Sequence, residues 1–192
     1  VRTDPELDHL RPVVQRQPPL RRPRRARPGV GHFTERPRRS QRHREIPLDL
    51  KTILESLPAN THPMDALRTG CSALGNLEPE GFVHDAVGIS HRLVACFSSI
   101  LLYWHFFSTR DERIEVVSAE KTVAGHFLHL FHGKPPSDLH RRMLDASLIL
   151  YAEHEFNAST FTARVIASTL SDFYSAVTGA IGALRGSLAR RV

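Results

Sequence analysis

The chain has 192 residues, and 41% of them are hydrophobic, which is enough to bury the core of one domain. Its net charge of +6 comes from the N-terminus, because residues 1–45 hold 13 of the 26 basic residues and only 5 of the 20 acidic ones. With 13 basic and 15 acidic residues left, residues 46–192 carry a net charge of −2, so a field that attracts nucleic acid or an anionic membrane would have to come from the first 45 residues alone.

Residues 1–40 form an arginine- and proline-rich tail that we predict to be disordered. The segment QPPLRRPRRARPG (17–29) cannot hold a helix, because its prolines recur every few residues. The tail also has too few large apolar groups to offset the entropy lost on ordering. Its densest basic cluster could neutralise phosphates, but no aromatic residue lies within it to stack on bases, and we expect no nucleic-acid partner. The cluster consists of Arg21, Arg22, Arg24, Arg25 and Arg27.

Helical patterns follow the tail. Asp49–Leu57 is typical of a short helix, which Pro58 ends. A second helix is predicted over Pro63–Gly75, because proline suits a first helical position. Residues 76–84 are polar and contain proline and glycine, so they are predicted to form a loop.

Three later segments carry an apolar stripe with the spacing 4, 3, 4, which places four side chains on one helix face. The stripes are Leu93, Phe97, Ile100, Trp104; Leu139, Met143, Ala146, Leu150; and Phe173, Val177, Ala180, Leu184. Ser137 is a suitable N-cap for the second striped helix, and a further short helix over Val123–Phe131 should close at Gly133. No segment shows the alternation of apolar and polar residues that is typical of a β-strand. The sequence therefore predicts an all-α fold.

The environment of the chain can be partly predicted from its apolar residues. The apolar run Leu93–Phe107 has 15 residues, which is too short to span a bilayer, so we expect a buried helix and no membrane partner. The two cysteines, Cys71 and Cys96, have no metal-binding spacing and are expected to be buried, reduced thiols of a cytoplasmic protein. No signal peptide is visible.

Residues 159–184 are rich in small side chains, which suits a tightly packed interior or a helical subunit interface.

Two polar clusters are candidates for function. His126, His129 and His132 share one side of a short helix, but three ligands from one helix rarely converge on a tetrahedral zinc ion, so ordinary packing or surface histidines are favoured and no metal is expected. The second cluster runs from Glu153 to Ser159. There, a histidine beside acidic residues can be held cationic and donate to an anionic ligand, whereas Asn157 and Ser159 could simply cap the next helix.

Five segments occur in the order and at the spacing of one enzyme family. They are LPANTHPMDALRTG (57–70), SSILLYWHFF (98–107), GHFLHLFHGKPPS (125–137), AEHEFNASTFTARVIAS (152–168) and SDFYSAVTGAIGALRG (171–186). As a set they resemble the citrate synthase family, and the resemblance covers about 41–186. HPMD and EHEFNAS occur across bacterial citrate synthases, whereas YWHFF and HFLHLFHG favour the 2-methylcitrate synthase branch, which acts in propionate breakdown.

The resemblance implies a fold, a reaction and a site. It implies the all-α citrate synthase fold, with residues 41–186 as a partial large domain, and a homodimer whose helices pack across the two-fold axis. It implies an acyl-CoA:oxaloacetate C-acyltransferase that condenses propionyl-CoA, or acetyl-CoA, with oxaloacetate and needs no metal or redox cofactor. His154 matches the family's oxaloacetate-binding histidine, and Asn157 lies in the same loop.

In this family one histidine polarises the thioester carbonyl while an aspartate removes a proton from the neighbouring carbon. The enol so formed attacks the ketone carbon of oxaloacetate, which a second histidine polarises, while arginines clamp the carboxylates. These groups follow the GALRG segment in the family, so no catalytic residue is assigned within this chain. The isolated chain is therefore expected to be inactive.

The ends of the chain depart from the family. Where the family continues towards His-Gly-Gly, this chain reads Ala189-Arg190-Arg191. Ala-Arg-Arg can be encoded by GCA CGG CGG, and the same bases read one position later give His-Gly-Gly. We expect a one-base frameshift that makes residues 187–192 aberrant, and an out-of-frame origin for residues 1–40.

Three functional hypotheses remain. The chain is an inactive fragment of a 2-methylcitrate or citrate synthase, or it works together with a complementary C-terminal chain. Alternatively, it is a non-catalytic helical module that pairs with intact synthase subunits.

Overall fold

A computed structural model describes residues 43–81, 83–152 and 157–186, and every regular element in these ranges is an α-helix. The helices are α1 (Leu48–Glu55), α2 (Pro63–Leu77), α3 (Ala86–Arg110), α4 (Val123–His132), α5 (Asp138–Tyr151), α6 (Ala158–Ser168) and α7 (Phe173–Arg185). The prediction of an all-α chain is thus confirmed. The predicted disorder of residues 1–40 and the predicted aberrant segment 187–192 fall outside the described residues.

Side-chain caps define where the helices begin. Ser137, as predicted, caps α5 by accepting a hydrogen bond from the backbone N–H of His140 at 3.3 Å. Gly133 ends α4 with a positive φ of 67°, which also agrees with the prediction. Helix α2 runs two residues beyond its predicted end at Gly75. It stops where Glu78 precedes Pro79, because a residue before proline is disfavoured in the helical conformation.

Helix α3 is the centre of the fold. It packs against α1, α2, α4 and α7, and its predicted stripe residues Leu93, Ile100 and Trp104 are buried. By length and composition α3 is the one helix in the described residues that could cross a membrane, but half of its most apolar window is buried inside the protein. The prediction of a buried helix is confirmed, and the apolar run is only part of a helix of 25 residues.

The two cysteines lie in the core on neighbouring helices. Cys71 of α2 and Cys96 of α3 are fully buried and form no disulfide. Burial raises the pKa of the Cys96 thiol to about 12. Because the thiolate is the reactive form, these cysteines contribute to packing and are not nucleophiles.

Helices α6 and α7 form a closely packed pair. A Cβ atom added at Gly179 would overlap Cδ1 of Ile166, so the small residue allows the two backbones to approach. The stripe predicted for α7 is only partly correct. Its most buried large side chains are Tyr174 and Ile181, whereas Leu184 is 45% exposed, because the face towards the core is rotated from the predicted one.

Helix α5 departs most from the expectation that an apolar stripe faces a core. It forms over the predicted residues, but none of its residues is buried. Leu139, Met143 and Leu150 are 59%, 60% and 79% exposed. The stripe therefore predicts the helix correctly but has no partner within the described residues.

Candidate functional site

Asn157 begins α6 and is held in one orientation. Its side-chain Oδ1 accepts hydrogen bonds from the backbone N–H of Thr160 at 2.7 Å and from the hydroxyl of Ser159 at 2.6 Å. The carboxamide is therefore fixed as an N-cap, as the sequence allowed. Its amide nitrogen makes no hydrogen bond to any residue that the structure describes, and it lies beside the positive end of a helix dipole.

His154, the other residue predicted to bind substrate, lies outside the described residues. The described chain stops at Ala152 and resumes at Asn157. The predicted roles of His154 and Asn157 in binding oxaloacetate thus stay predictions, while the capping role of Asn157 is established.

The cap and the amide donors of Asn157 can be separated by mutation. We expect Asn157→Ala to lower the free energy of unfolding by about 1 kcal/mol, because the N–H of Thr160 loses its acceptor. Asn157→Asp should keep the cap and the stability, but it replaces the amide donors with a negative charge. Urea unfolding followed by circular dichroism measures both variants. Equal destabilisation by the two substitutions would contradict the capping role.

The HPMD and GALRG segments, which are far apart in sequence, are joined by an ion pair. The carboxylate of Asp65 in α2 lies 3.0 Å from Nε of Arg185 at the end of α7, and 3.2 Å from the guanidinium of Arg68. Asp65 thereby fixes the end of α7 against the start of α2. Both segments stand out in the sequence, but their contact is not apparent from it.

The two segments that favour the 2-methylcitrate synthase branch also meet. His105 of α3 stacks on Phe131 of α4 with 6.5 Å between ring centroids, and Phe131 stacks on Phe127 at 5.9 Å. Buried Phe106 and Leu130 lie in the same apolar cluster. This cluster forms the contact between α3 and α4, so these motif residues have a packing role.

The three histidines of α4 do not form a metal site among the described residues. His126 is fully buried, with Nδ1 2.9 Å from Oγ of Ser118 and Nε2 3.1 Å from Oγ of Ser99. Because Ser99 donates its proton to the carbonyl of Val116, it can only accept from Nε2–H, and Ser118 then donates to Nδ1. Both ring nitrogens are engaged, and His132 points to solvent. No group of three His, Cys, Asp or Glu residues that could hold a metal occurs among the described residues.

The burial of His126 makes stability depend on pH. Burial, followed by the charges of Arg44 and His129, lowers the pKa of His126 from 6.5 to about 3 in the folded state. The unfolded chain therefore takes up this proton first as the pH falls below 6.5, and stability should decline between pH 6.5 and pH 3 by up to about 1.4 kcal/mol per pH unit. No loss from this group is expected above pH 7.

The variant His126→Gln isolates this effect from the other titrating groups. Its unfolding free energy should fall less steeply between pH 7 and pH 5 than that of the wild type, although its stability at pH 7 is lower. Urea unfolding at several pH values gives both slopes. Parallel slopes would show that His126 is protonated in the folded state as well.

One open cleft was not foreseen from the sequence. It has a volume of about 1100 Å³ and lies where α1 and α3 begin. Arg92 on its wall is paired with Glu78 through two bonds of 2.9 Å and 2.8 Å, and it also donates to the carbonyl of His43. Because this guanidinium is already engaged by a carboxylate, it offers little to an anionic ligand.

Comparisons with known proteins agree with this architecture. A family model described as "Citrate synthase, C-terminal domain" matches residues 28–191. The chain is 59% identical over 145 residues to the 2-methylcitrate synthase of Shewanella oneidensis, covering 76% of this chain and 39% of that protein. It is 42% identical over 151 residues to a citrate synthase of Deinococcus radiodurans, covering 76% of this chain and 39% of that protein.

A solved structure shows the same fold. The crystal structure of citrate synthase from Thermotoga maritima is similar with a TM-score of 0.66 and 34% identity, over 79% of this chain and 39% of that one. The chain thus spans about two fifths of the length of the relatives it matches. The resemblance to 2-methylcitrate synthases and the citrate synthase-like fold are both confirmed. Since the family model covers most of the sequence, the chain belongs to the citrate synthase family.

Proposed function

We propose that this chain is part of an acyl-CoA:oxaloacetate C-acyltransferase that uses propionyl-CoA, and acetyl-CoA as the alternative acyl donor. The observation that carries the proposal is the 59% identity to the 2-methylcitrate synthase of Shewanella oneidensis. This exceeds the 42% identity to the Deinococcus citrate synthase, which favours the longer acyl group. Since the match spans 39% of the Shewanella protein, the reaction also draws on residues outside these 192.

Within this enzyme the chain contributes part of the oxaloacetate site. His154 would donate a hydrogen bond to oxaloacetate. It stands between Glu153 and Glu155 in the sequence, and neighbouring carboxylates favour the cationic form of a histidine. Asn157 supports the assignment, because its oxygen is occupied by Thr160 and Ser159, so its side chain can meet a ligand only as an N–H donor. Donors held before the substrate arrives bind an anion without reorganising.

The test uses a chimera, because the chain spans only part of its relatives. Residues 43–186 replace the matching stretch of the Shewanella enzyme, and His154→Ala is compared with His140→Ala. The control is a histidine of α5 whose side chain is exposed to solvent. We expect His154→Ala to lower kcat/KM for oxaloacetate by about 100-fold or more, with little change in KM for propionyl-CoA, and His140→Ala to behave as the parent chimera. Equal activities of the two variants would contradict the proposed role of His154 in binding oxaloacetate.

The 192 residues by themselves are proposed to be inactive in condensation. Release of the CoA thiol from propionyl-CoA, in the presence of oxaloacetate, measures this directly. The intact enzyme is proposed to act as a homodimer without a metal or redox cofactor, because the acyl thioester itself activates the carbon to be deprotonated. Activity that is unchanged by a chelator would agree with this.

A second candidate is a non-catalytic helical module that pairs with intact synthase subunits. The uncovered apolar stripe of α5 favours it, since a single such surface can bind another protein. Co-purification of the tagged chain with an intact synthase, together with inactivity alone, would support this alternative.

A further inference from the structure

The last turn of α5, Leu148–Tyr151, presents four consecutive large apolar side chains to solvent. Their exposed fractions are 43%, 69%, 79% and 83% in chain order. Successive residues of a helix are rotated by about 100°, so four of them point to all sides of it. A helix that is apolar all round is typical of a protein interior. This pattern indicates a turn that other polypeptide encloses on all sides, and not on one face alone.

The rest of α5 extends the same uncovered surface. Leu139 and Met143 lie on the face of Leu150, and all three are more than half exposed, so the apolar face runs for about 17 Å. Arg141, which is not part of this face, attaches α5 to the loop before α4: its Nε lies 3.2 Å from the carboxylate of Glu120. The helix is thus attached to the described fold on one side and open on the others.

Resting on the proposed function, we infer that the end of α5 is enclosed by the part of a synthase that lies outside these 192 residues. The chain matches 39% of the length of the Shewanella protein, so about three fifths of a synthase is available to surround this turn. A second copy of the chain is a poorer occupant. A two-fold contact places one patch against its equivalent and covers one face of a helix.

The turn also lies close in sequence to the residues proposed to bind oxaloacetate. Tyr151 precedes His154 by three residues and precedes Asn157, the cap of α6, by six. A polypeptide that encloses Leu150 therefore contacts the chain near this part of the sequence.

The experiment supplies the rest of the synthase as a separate polypeptide. The probe is the portion of the Shewanella 2-methylcitrate synthase that follows its matched stretch, and it is titrated into the full 192-residue chain. Leu150→Glu is compared with Leu48→Glu, in which a leucine of α1 with nearly the same exposure, 77% against 79%, receives the same charge. Calorimetry gives Kd, and light scattering gives the mass of each species.

We expect a one-to-one complex with the wild-type chain and with Leu48→Glu, and a Kd raised about tenfold or more by Leu150→Glu. Equal affinity of all three chains, or no complex with the wild type, would overturn the inference. A dimer of the chain that Leu150→Glu dissolves would instead identify a second copy as the occupant.

The covalent chimera supplies a second readout that does not need the probe to fold alone. In the chimera, Leu150→Glu should lower Tm by about 5 °C or more relative to Leu48→Glu, whereas in the isolated chain the two should differ little. Equal Tm values in the chimera count against enclosure. Thiol release separates the two proposals: a complex without activity contradicts the proposed function alone, and an active complex unaffected by Leu150→Glu contradicts this inference alone.

Discussion

Replacing Arg44 with methionine is expected to lower the free energy of unfolding by about 3 kcal/mol or more. Arg44 is only 1% exposed, although it closes an arginine-rich stretch of sequence. Its guanidinium donates to the carbonyl oxygens of Ser118, Glu120 and Thr122, at 3.3, 2.5 and 3.4 Å. Methionine keeps the length of the side chain but leaves these carbonyls without their donor, and an unpaired buried polar group costs its full desolvation.

Two further variants define what Arg44 does. Arg44→Lys retains the charge but cannot reproduce the planar guanidinium. It should therefore lower the free energy of unfolding by less than Arg44→Met does, but by a measurable amount. Arg142→Met removes an exposed arginine of α5 with one long bond of 3.4 Å, and should change stability by about 0.5 kcal/mol or less. Urea unfolding gives all three values. A loss at Arg44→Met no larger than that at Arg142→Met would show that the segment near residue 44 is not anchored to the loop before α4.

Replacing Gly75 with alanine is expected to destabilise the fold by about 2 kcal/mol, although alanine is the better helix former. A Cβ atom at Gly75 would lie 2.8 Å from Cβ and 2.9 Å from Cγ of Tyr174. The Cβ of Tyr174 is fixed by the backbone of α7, so rotation of the side chain cannot relieve this contact, and Tyr174 is buried. The substitution therefore forces α2 and α7 apart, and the overpacking outweighs the propensity gain of about 1 kcal/mol.

Gly182→Ala is the matched control for this prediction. Gly182 also lies inside a helix, but the nearest atom to its added Cβ is Cδ of Arg68 at 3.7 Å, an ordinary contact. Here only the propensity gain applies, and we expect stabilisation by about 0.5–1 kcal/mol. Thermal unfolding of both variants measures the difference. Stabilisation by both substitutions would mean that the α2–α7 contact is looser than described.

The helices were predictable from local sequence, whereas their surroundings were not. Ser137, Asn157 and Gly133 fix helix ends through bonds within a few residues, so a short window of sequence contains the whole signal. The stripe of α5 predicted a helix with equal success. What covers that stripe depends on residues distant in sequence, and within the described chain nothing does.

Arg44 and Asp65 show the same limit for polar residues. In sequence, Arg44 is one of 13 arginines in the first 45 residues, and no local pattern distinguishes it from the others. Its partners lie 74 to 78 residues away, and Arg185 lies 120 residues from Asp65. Spacing rules act over one or two helical turns, so they cannot identify such pairs. The motif resemblance, which compares whole segments, identified the family where spacing alone could not.

The most direct test of the proposed function is the product made by the chimera that carries residues 43–186 in the Shewanella synthase. The chimera is incubated with oxaloacetate and either propionyl-CoA or acetyl-CoA, and the products are identified by mass spectrometry. We predict 2-methylcitrate from propionyl-CoA at a rate within about tenfold of the parent enzyme, since the replaced segment is 59% identical, and citrate from acetyl-CoA. A folded chimera that releases no thiol from either acyl-CoA would contradict the proposal that these residues form part of a working synthase.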